Sequence, residues 1–170
     1  EVAVPTRGYE PALPHWMATV GLLLGIGVTE AIYARWGVRL TGMAALPLVA
    51  LFTLASPAAL GAYVLGVAIV FGLVSAVAHA TLLYGRVLLS LGIAGGTVVA
   101  MTIGVFGPPL PGFVLLFLGL LTGVGGYNLH RVPPPERRTA ATLSAGVYVW
   151  FLAGFWALAP TPPIDPGPAA

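Results

Sequence analysis

Arginine is confined almost entirely to the gaps between long apolar runs, and this arrangement restricts the chain to a membrane fold. The chain has seven arginines and no lysine in 170 residues that are 58% hydrophobic. Six of the arginines stand in three short gaps: Arg35 and Arg39, then Arg86, then Arg131, Arg137 and Arg138. Counting the apolar runs places all six on one side of a bilayer. Because arginine is retained in short cytoplasmic loops, we expect this side to face the cytoplasm.

The composition excludes a soluble domain and several classes of function. Mean hydropathy is +0.98 and only 7% of the residues are charged, whereas about a quarter of the residues of a soluble domain are charged. The sequence lacks the dense basic stripe on a polar fold that a nucleic-acid-binding protein needs. Without cysteine it has neither a disulfide framework nor a thiolate metal site. The absence of lysine beside abundant arginine, alanine and glycine is typical of a GC-rich prokaryotic genome.

Six apolar runs predict six membrane-spanning helices in one all-α bundle over residues 16–158, since about 20 apolar residues cross a bilayer. The second run is short and contains Pro47, so it is either a kinked, short span or a re-entrant segment. Residues 1–15 are expected to form an extracytoplasmic arm, and residues 159–170 a proline-rich tail. The six runs are Trp16–Ala34, Thr41–Ala55, Ala58–Leu83, Val87–Phe106, Phe113–Tyr127 and Thr139–Leu158.

Six crossings predict an N-out/C-out, multi-pass protein of the plasma membrane. Both termini are then outside, every loop between spans that carries arginine is inside, and only Arg7, in the arm, is outside. A re-entrant second run would invert everything after it and would place four arginines outside. The distribution of arginine therefore favours six full crossings.

Glycines recur at helical spacing in three of the runs, in the pairs Gly21/Gly25, Gly92/Gly96 and Gly119/Gly123. Small residues four apart let two helices approach closely, which matters in lipid because no hydrophobic drive brings helices together. We expect these faces to pack within the chain in preference to forming a dimer interface.

A weak internal similarity suggests an inverted three-plus-three repeat. The segments that begin at Gly37 and Gly104 each combine a turn, a proline and an apolar run, with Pro47 and Pro111 as the prolines. Each segment opens the middle span of a three-span half. Because three is an odd number, the two halves would be inverted relative to each other in the membrane.

Glu30 is the only acid within any predicted span. A carboxylate in hydrocarbon is costly and marks either a buried pair or a functional group. It lies about one turn from the inner end of its span, within reach of the arginines. Two roles remain open: an ion pair with Arg86 or Arg35 that fixes helix packing, or a role in proton or substrate coupling.

Arg131, Arg137 and Arg138 form the densest positive cluster, close to Asn128, the only carboxamide in the chain. The cluster is either an orientation signal that contacts anionic lipid headgroups or a docking surface for an acidic partner or a polyanionic product. The second interpretation rests on the guanidinium group, which binds carboxylates through two parallel hydrogen bonds.

No catalytic apparatus, cofactor site or metal site is visible in the sequence. It contains no GxxxxGK[ST] loop, no HExxH helix and no GxSxG nucleophile motif. His79 and His130 are expected at similar depth and could ligate haem iron, but we favour packing or interfacial histidines, since nothing else indicates a porphyrin pocket.

A series of residues spread along the chain resembles a known family. Glu30 is followed by Gly37-Val-Arg-Leu-Thr-Gly42, by Pro47 and Pro57, and by a long span that closes in Leu83-Tyr84-Gly85-Arg86; the second half adds Gly104, Pro111-Gly112 and Ala141-Thr-Leu-Ser-Ala-Gly146. From about Gly25 to Phe155 the chain resembles the small membrane subunit of poly-γ-glutamate synthase, the capsule-biosynthesis subunit CapC or PgsC. It departs from the family pattern at Val87, where a second basic residue is expected, and in the proline-rich insertion over residues 132–135.

The resemblance implies a non-catalytic membrane subunit that works with a cytoplasmic ATP-dependent amide ligase and with an extracellular-facing subunit. In this context the residues expected to bind the ligase or its polyanionic polymer are Arg86, Arg131, Arg137 and Arg138. Those expected in a structural ion pair or in coupling are Glu30, Arg35 and Tyr84. Membrane lipid is a further partner, and no cofactor, metal or nucleic acid is implied.

Two other classes of function remain open. A small stand-alone transporter or channel would use Glu30 as its coupling carboxylate and would fit an inverted repeat. A structural membrane anchor of a larger complex, with or without haem, would need only the bundle itself.

Overall fold

A computed structural model describes residues 15–38, 40, 42 and 44–159. This part of the chain contains no strand, so the all-α prediction is confirmed for it. Nearly all of the predicted arm and tail, together with Arg39 and Thr41, lies outside the described residues. The helices are α1 (His15–Trp36), α2 (Ala45–Ala55), α3 (Ala58–Thr81), α4 (Arg86–Phe106), α5 (Gly112–Arg131), a 3-10 turn (Pro134–Glu136) and α6 (Arg137–Leu158).

Five of the six α-helices, all except α2, are long and apolar enough to cross a membrane. The shortest of the five has 20 residues, which at about 1.5 Å per residue gives about 30 Å, the thickness of the hydrocarbon core. Their ends lie within two residues of the ends of the predicted runs, except at the end of α5. α3 ends at Thr81, before the predicted Leu83, because Leu82 adopts a left-handed conformation with φ of 55°. α5 continues past the predicted Tyr127 to Arg131.

The second apolar run forms only a short helix among its described residues. Its helix, α2, has 11 residues and is about 17 Å long, roughly half of the hydrocarbon thickness. Gly37, with φ of 68°, lies just after the end of α1, and Val38 and Leu40 are then buried in non-helical chain. Pro47 lies in the first turn of α2, where its missing N–H removes no intrahelical bond, so it helps the helix to begin. Such irregular backbone is tolerated at membrane depth where protein covers it.

Helices α3, α4 and α5 form one closely packed group. Glycines bring α4 and α5 together, because a side-chain carbon added at any of four of them would meet backbone atoms of the other helix. Two of the predicted small-residue pairs therefore pack against each other within the chain, which confirms internal packing for these pairs. The four glycines are Gly92 and Gly96 on α4 and Gly119 and Gly123 on α5.

Helices α1 and α6 form the second group, on either side of α2. Gly21 of α1 lies against Phe155 of α6 and Pro47 of α2. The two groups meet in one apolar core. There Phe52 of α2 lies edge-on to Phe113 of α5, with ring centroids 6.3 Å apart.

The directions of the helices bring the loops that carry arginine to one end of the bundle. Gly66 of α3 faces Thr122 of α5, and Gly126 of α5 faces Val70 of α3. Both helices therefore advance together, so α3 and α5 run in the same direction and α4 runs opposite to both. The loop after α1 meets the loop before α6 in a buried cluster of Val38, Val132 and Ala140. We call this end, formed by residues 35–38, 81–86 and 130–138, the arginine end.

Each group takes two helices from one half of the chain and one helix from the other. α4 and α5 pack with α3, while α1 and α2 pack with α6. Matching α1 with α4, α2 with α5 and α3 with α6 pairs helices that run in opposite directions, but α1 and α6 are not packed together as α3 and α4 are. The inverted repeat therefore stays a prediction.

Candidate functional site at the arginine end

A cleft opens at the arginine end, between α1 and the end of α5. Its volume is about 470 Å³, within the range of small-molecule sites. We call it the Glu30 cleft. Its polar lining comes from three elements: the last turns of α1, the last turn of α5 and the 3-10 turn before α6. The lining residues are Thr29, Glu30, Tyr33, Gly37, Leu40, Asn128, Arg131, Val132, Pro133 and Glu136.

Helical spacing places the polar residues of α1 in this cleft. Glu30, Tyr33 and Gly37 are three and four residues apart, so they follow one face of the helix to its end. Thr29 is buried and its hydroxyl donates a 2.7 Å hydrogen bond to the carbonyl of Gly25. Within the described part of the chain Glu30 forms no ion pair; it shares its cleft with Arg131, whereas Arg35 and Arg86 do not line it.

Arg131 lies where α5 ends and lines two clefts at once. Its guanidinium carbon stands 5.9 Å from the centre of the Tyr127 ring, one turn earlier in α5, a cation–π distance. The C-terminal end of a helix carries partial negative charge, which favours a cation at this position. Asn128 stands three residues before Arg131 on the same face and lines the Glu30 cleft with it.

A second, wider cleft lies on the other side of Arg131 and contains Tyr84. We call it the Tyr84 cleft; its volume is about 450 Å³. The loop between α3 and α4 forms one wall, and Tyr127, His130 and Arg131 form the other. The Tyr84 side chain is 85% exposed in this loop. The structure therefore brings Tyr84 to Arg131, while Glu30 lies in the separate Glu30 cleft.

Arg137 binds the end of α5. Its Nε donates a 3.0 Å hydrogen bond to the carbonyl of Val132, and one terminal nitrogen donates a 3.4 Å bond to the carbonyl of His130. Its guanidinium carbon also lies 5.1 Å from the centre of the Phe71 ring in α3. The last carbonyls of a helix lack intrahelical partners, and Arg137 satisfies two such groups at this end. The structure thus gives Arg137 an intramolecular role beside the partner-binding role predicted for it.

The other predicted arginines are exposed at the same end. Arg138 follows Arg137 in the first turn of α6, Arg86 begins α4 behind Gly85, and Arg35 lies in the last turn of α1. None of the three lines either cleft. We call these three exposed arginines the positive rim.

His79 and His130 are linked through Ser75. The Ser75 side-chain oxygen lies 3.0 Å from Nδ1 of His130, and Nδ1 of His79 donates a 2.6 Å bond to the Ser75 carbonyl. This arrangement packs α3 against α5. The described residues hold no group of three or more potential metal ligands among His, Asp and Glu.

The comparison with known families decides the identity of the chain. The model of the family described as Capsule biosynthesis CapC matches residues 21–138, more than two thirds of the chain. The chain belongs to the capsule biosynthesis CapC family. A search of curated proteins and a search of solved structures gave no significant match.

The CapC match confirms the resemblance seen in the sequence and covers both clefts. It begins at Gly21, where α1 meets α6, and ends at Arg138, at the start of α6. Every lining residue of the Glu30 cleft and of the Tyr84 cleft lies inside it. Membership of the CapC family and the five long apolar helices together identify a membrane protein of capsule biosynthesis.

Three lining residues of this CapC protein were missed at the sequence level: Thr29, Tyr33 and Glu136. The spacing of Tyr33 from Glu30 was the one available signal, since residues three apart share a helix face. Glu136 gave no such signal, because a proline-rich loop has no periodicity from which to place its side chains.

Proposed function

We propose that this chain is the membrane subunit of a synthase that makes poly-γ-glutamate or a related polyanionic capsule polymer. It performs no catalytic step itself; it docks an ATP-dependent ligase at the cytoplasmic face and aids transfer of the polymer across the membrane. The observation that carries the proposal is the CapC match over a region whose basic segments all meet at one end of the bundle.

In this proposal the chain crosses the plasma membrane six times, with both termini outside. The second crossing consists of residues 37–44 and then α2. Eight residues of any conformation span at most about 26 Å, at roughly 3.3 Å per residue. Together with about 17 Å for α2, this upper limit exceeds a hydrocarbon core of about 30 Å. Two contacts support this path: Gly37 lines a cleft at the arginine end, and Phe52 lies beside Phe113 at the start of α5, at the other end.

The exposed arginines of the arginine end supply the docking surface for the ligase. Arg86 and Arg138 are exposed there and can bind carboxylates of a partner through paired hydrogen bonds. Arg137 is already bound to the end of α5. The ligase would therefore present an acidic surface to Arg86 and Arg138, while anionic lipid headgroups contact the same positive rim where the ligase leaves it uncovered.

The polymer would pass from the ligase to Arg131, between the two clefts, and leave towards an extracellular-facing subunit. The broken second crossing supports such a path, because irregular backbone in a membrane lines cavities and forms substrate sites in transport proteins.

Charge reversal of the rim tests the docking proposal. We expect the double variant R86E/R138E to recover about tenfold less ligase than the wild-type chain in affinity purification from detergent-extracted membranes, because like charges facing each other cost several kcal/mol. The matched control is Pro109→Glu, which adds a carboxylate in the exposed turn at the opposite end. Full recovery of the ligase with the reversed variant would contradict the docking surface.

A stand-alone transporter is the second candidate, and the position of Glu30 in a cleft favours it. In that case the purified chain alone, reconstituted in proteoliposomes, would move a solute, and Glu30→Gln would abolish the flux. No flux by the wild-type chain without the ligase would exclude this candidate.

A further inference from the structure

The Glu30 cleft differs in charge from the positive rim. Among the described residues, its charged lining consists of two carboxylates, Glu30 and Glu136, and one guanidinium, Arg131. The formal charge of these three groups is negative, so a ligand with carboxylates alone would be repelled by two of them. A ligand that joins an ammonium group to an anionic group matches all three.

The cleft exists because the two halves of the bundle differ. In one group α3 packs along α4, but the matching helices α6 and α1 are not packed along their lengths in the described part of the chain. They meet where Gly21 lies against Phe155, far from the arginine end. Towards the arginine end the contact is lost, and the gap is lined by polar groups that have no counterpart in the closed interface of the other half.

We infer that the Glu30 cleft binds the amino end of a γ-linked glutamate chain. This inference rests on the proposed function. In such a chain each residue carries a free α-carboxylate, but only the residue at the amino end also carries a free ammonium group. The Glu30 and Glu136 carboxylates accept hydrogen bonds from the ammonium, and the Arg131 guanidinium donates to the α-carboxylate. The cleft therefore distinguishes the end of the polymer from its interior.

The position of the Glu30 cleft indicates a role for recognition of the amino end of the polymer. Gly37 and Leu40, at the beginning of the broken second crossing, are part of its wall. A polymer held by its amino end lies beside the beginning of that crossing, and its interior carboxylates lie towards the positive rim. Binding would thus select the end that enters the membrane first.

Blocking the ammonium group is the direct test. The purified full chain is placed in nanodiscs of phosphatidylglycerol alone, and the probe is γ-linked tetraglutamate labelled at its carboxyl end. We expect acetylation of the probe's amino group to raise its Kd about tenfold or more, the size of a charge-assisted hydrogen bond. Equal Kd values for the free and the acetylated probe would overturn the inference.

Neutral variants locate the effect in the cleft. Glu30→Gln and Glu136→Gln keep the side-chain size, and each should weaken binding of the free probe, which carries the ammonium group. Neither should weaken binding of the acetylated probe, because each removes a charge that repels its carboxylates. Thr102→Val is the size-matched control, because Thr102 lies on α4 outside the cleft and bonds only the carbonyl of Val98. A loss of affinity in the control equal to that in both glutamate variants would overturn the assignment. Monodispersity of each purified variant distinguishes a loss of binding from misfolding.

Two further outcomes separate this inference from the proposed function. If nanodiscs with phosphatidylethanolamine abolish binding of the free probe, the cleft selects a lipid headgroup and the inference is overturned. If neither probe binds although the chain still purifies with its ligase, end recognition fails and the subunit role stands. If the free probe binds but no ligase is recovered, the proposed function fails, and the specificity of the cleft is retained.

Discussion

Neighbouring arginines at the start of α6 serve different purposes at the scale of single residues. Arg137 bonds to two carbonyls at the end of α5 and lies over the ring of Phe71, whereas Arg138 is exposed. The first therefore contributes to the stability of the bundle, and the second is available to a partner. A charge count cannot distinguish them, because both have the same charge in the same loop.

Arg137→Gln should lower the free energy of unfolding by about 1–3 kcal/mol, because it removes charge-assisted hydrogen bonds at the end of α5. Thermal unfolding of the purified protein in detergent measures the effect. Arg138→Gln is the matched control and should change stability by less than about 0.5 kcal/mol, as is usual at the surface. Equal losses of stability in the two variants would show that the hydrogen bonds of Arg137 do not stabilise the bundle.

The residues of the Glu30 cleft show how far the site could be predicted from the sequence. The position of Glu30 and of the arginine clusters could be predicted, since charge stands out in an apolar chain. The grouping of Glu30 with Arg131 and Glu136 could not, because it depends on how α1 diverges from α6 and on the path of a proline-rich loop. The sequence also offered Arg86 and Arg35 as partners of Glu30, and neither lines its cleft.

At the scale of elements, close contact between helix backbones holds α4 against α5. Gly96 lies so near Gly119 and Gly123 that an added side-chain carbon would meet their backbone atoms. This contact follows from glycine spacing and was predictable. The short helix of the second run was not, because apolar residues read alike whether they are helical or not. Val38 and Leu40, just before that run, are buried without helical structure.

Gly96→Ala should destabilise the protein by about 1–3 kcal/mol, since overpacking forces two backbones apart. Gly154→Ala in α6 is the matched control, because an added carbon there meets nothing within 4 Å. Alanine should stabilise that helix by about 0.5–1 kcal/mol. Thermal unfolding of both variants checks the opposite signs, and a stabilised Gly96→Ala would contradict the packing of α4 on α5.

At the scale of the whole molecule, the bundle consists of two groups that exchange their third helices and gather their basic loops at one end. Five helices are long enough to cross the membrane, and α2 is not. Residues 37–44 and α2 together make the second crossing in our proposal. The sidedness of the loops follows from whether that crossing is complete.

Single cysteines report the sidedness, because the chain has none of its own. We expect a membrane-impermeant maleimide to label Ser56→Cys and Pro109→Cys in intact cells, and Pro134→Cys only after permeabilisation. A re-entrant second run would reverse this pattern. Labelling of Pro134→Cys in intact cells would therefore contradict six crossings.

In the proposed function this chain is a subunit whose arginine end holds an ATP-dependent ligase. The most direct test is gentle detergent extraction of the native membrane, followed by mass spectrometry of the proteins that elute with this chain. We expect a ligase with an ATP-binding motif in stable proportion to the chain. Elution of the chain alone, or only with unrelated membrane proteins, would contradict it.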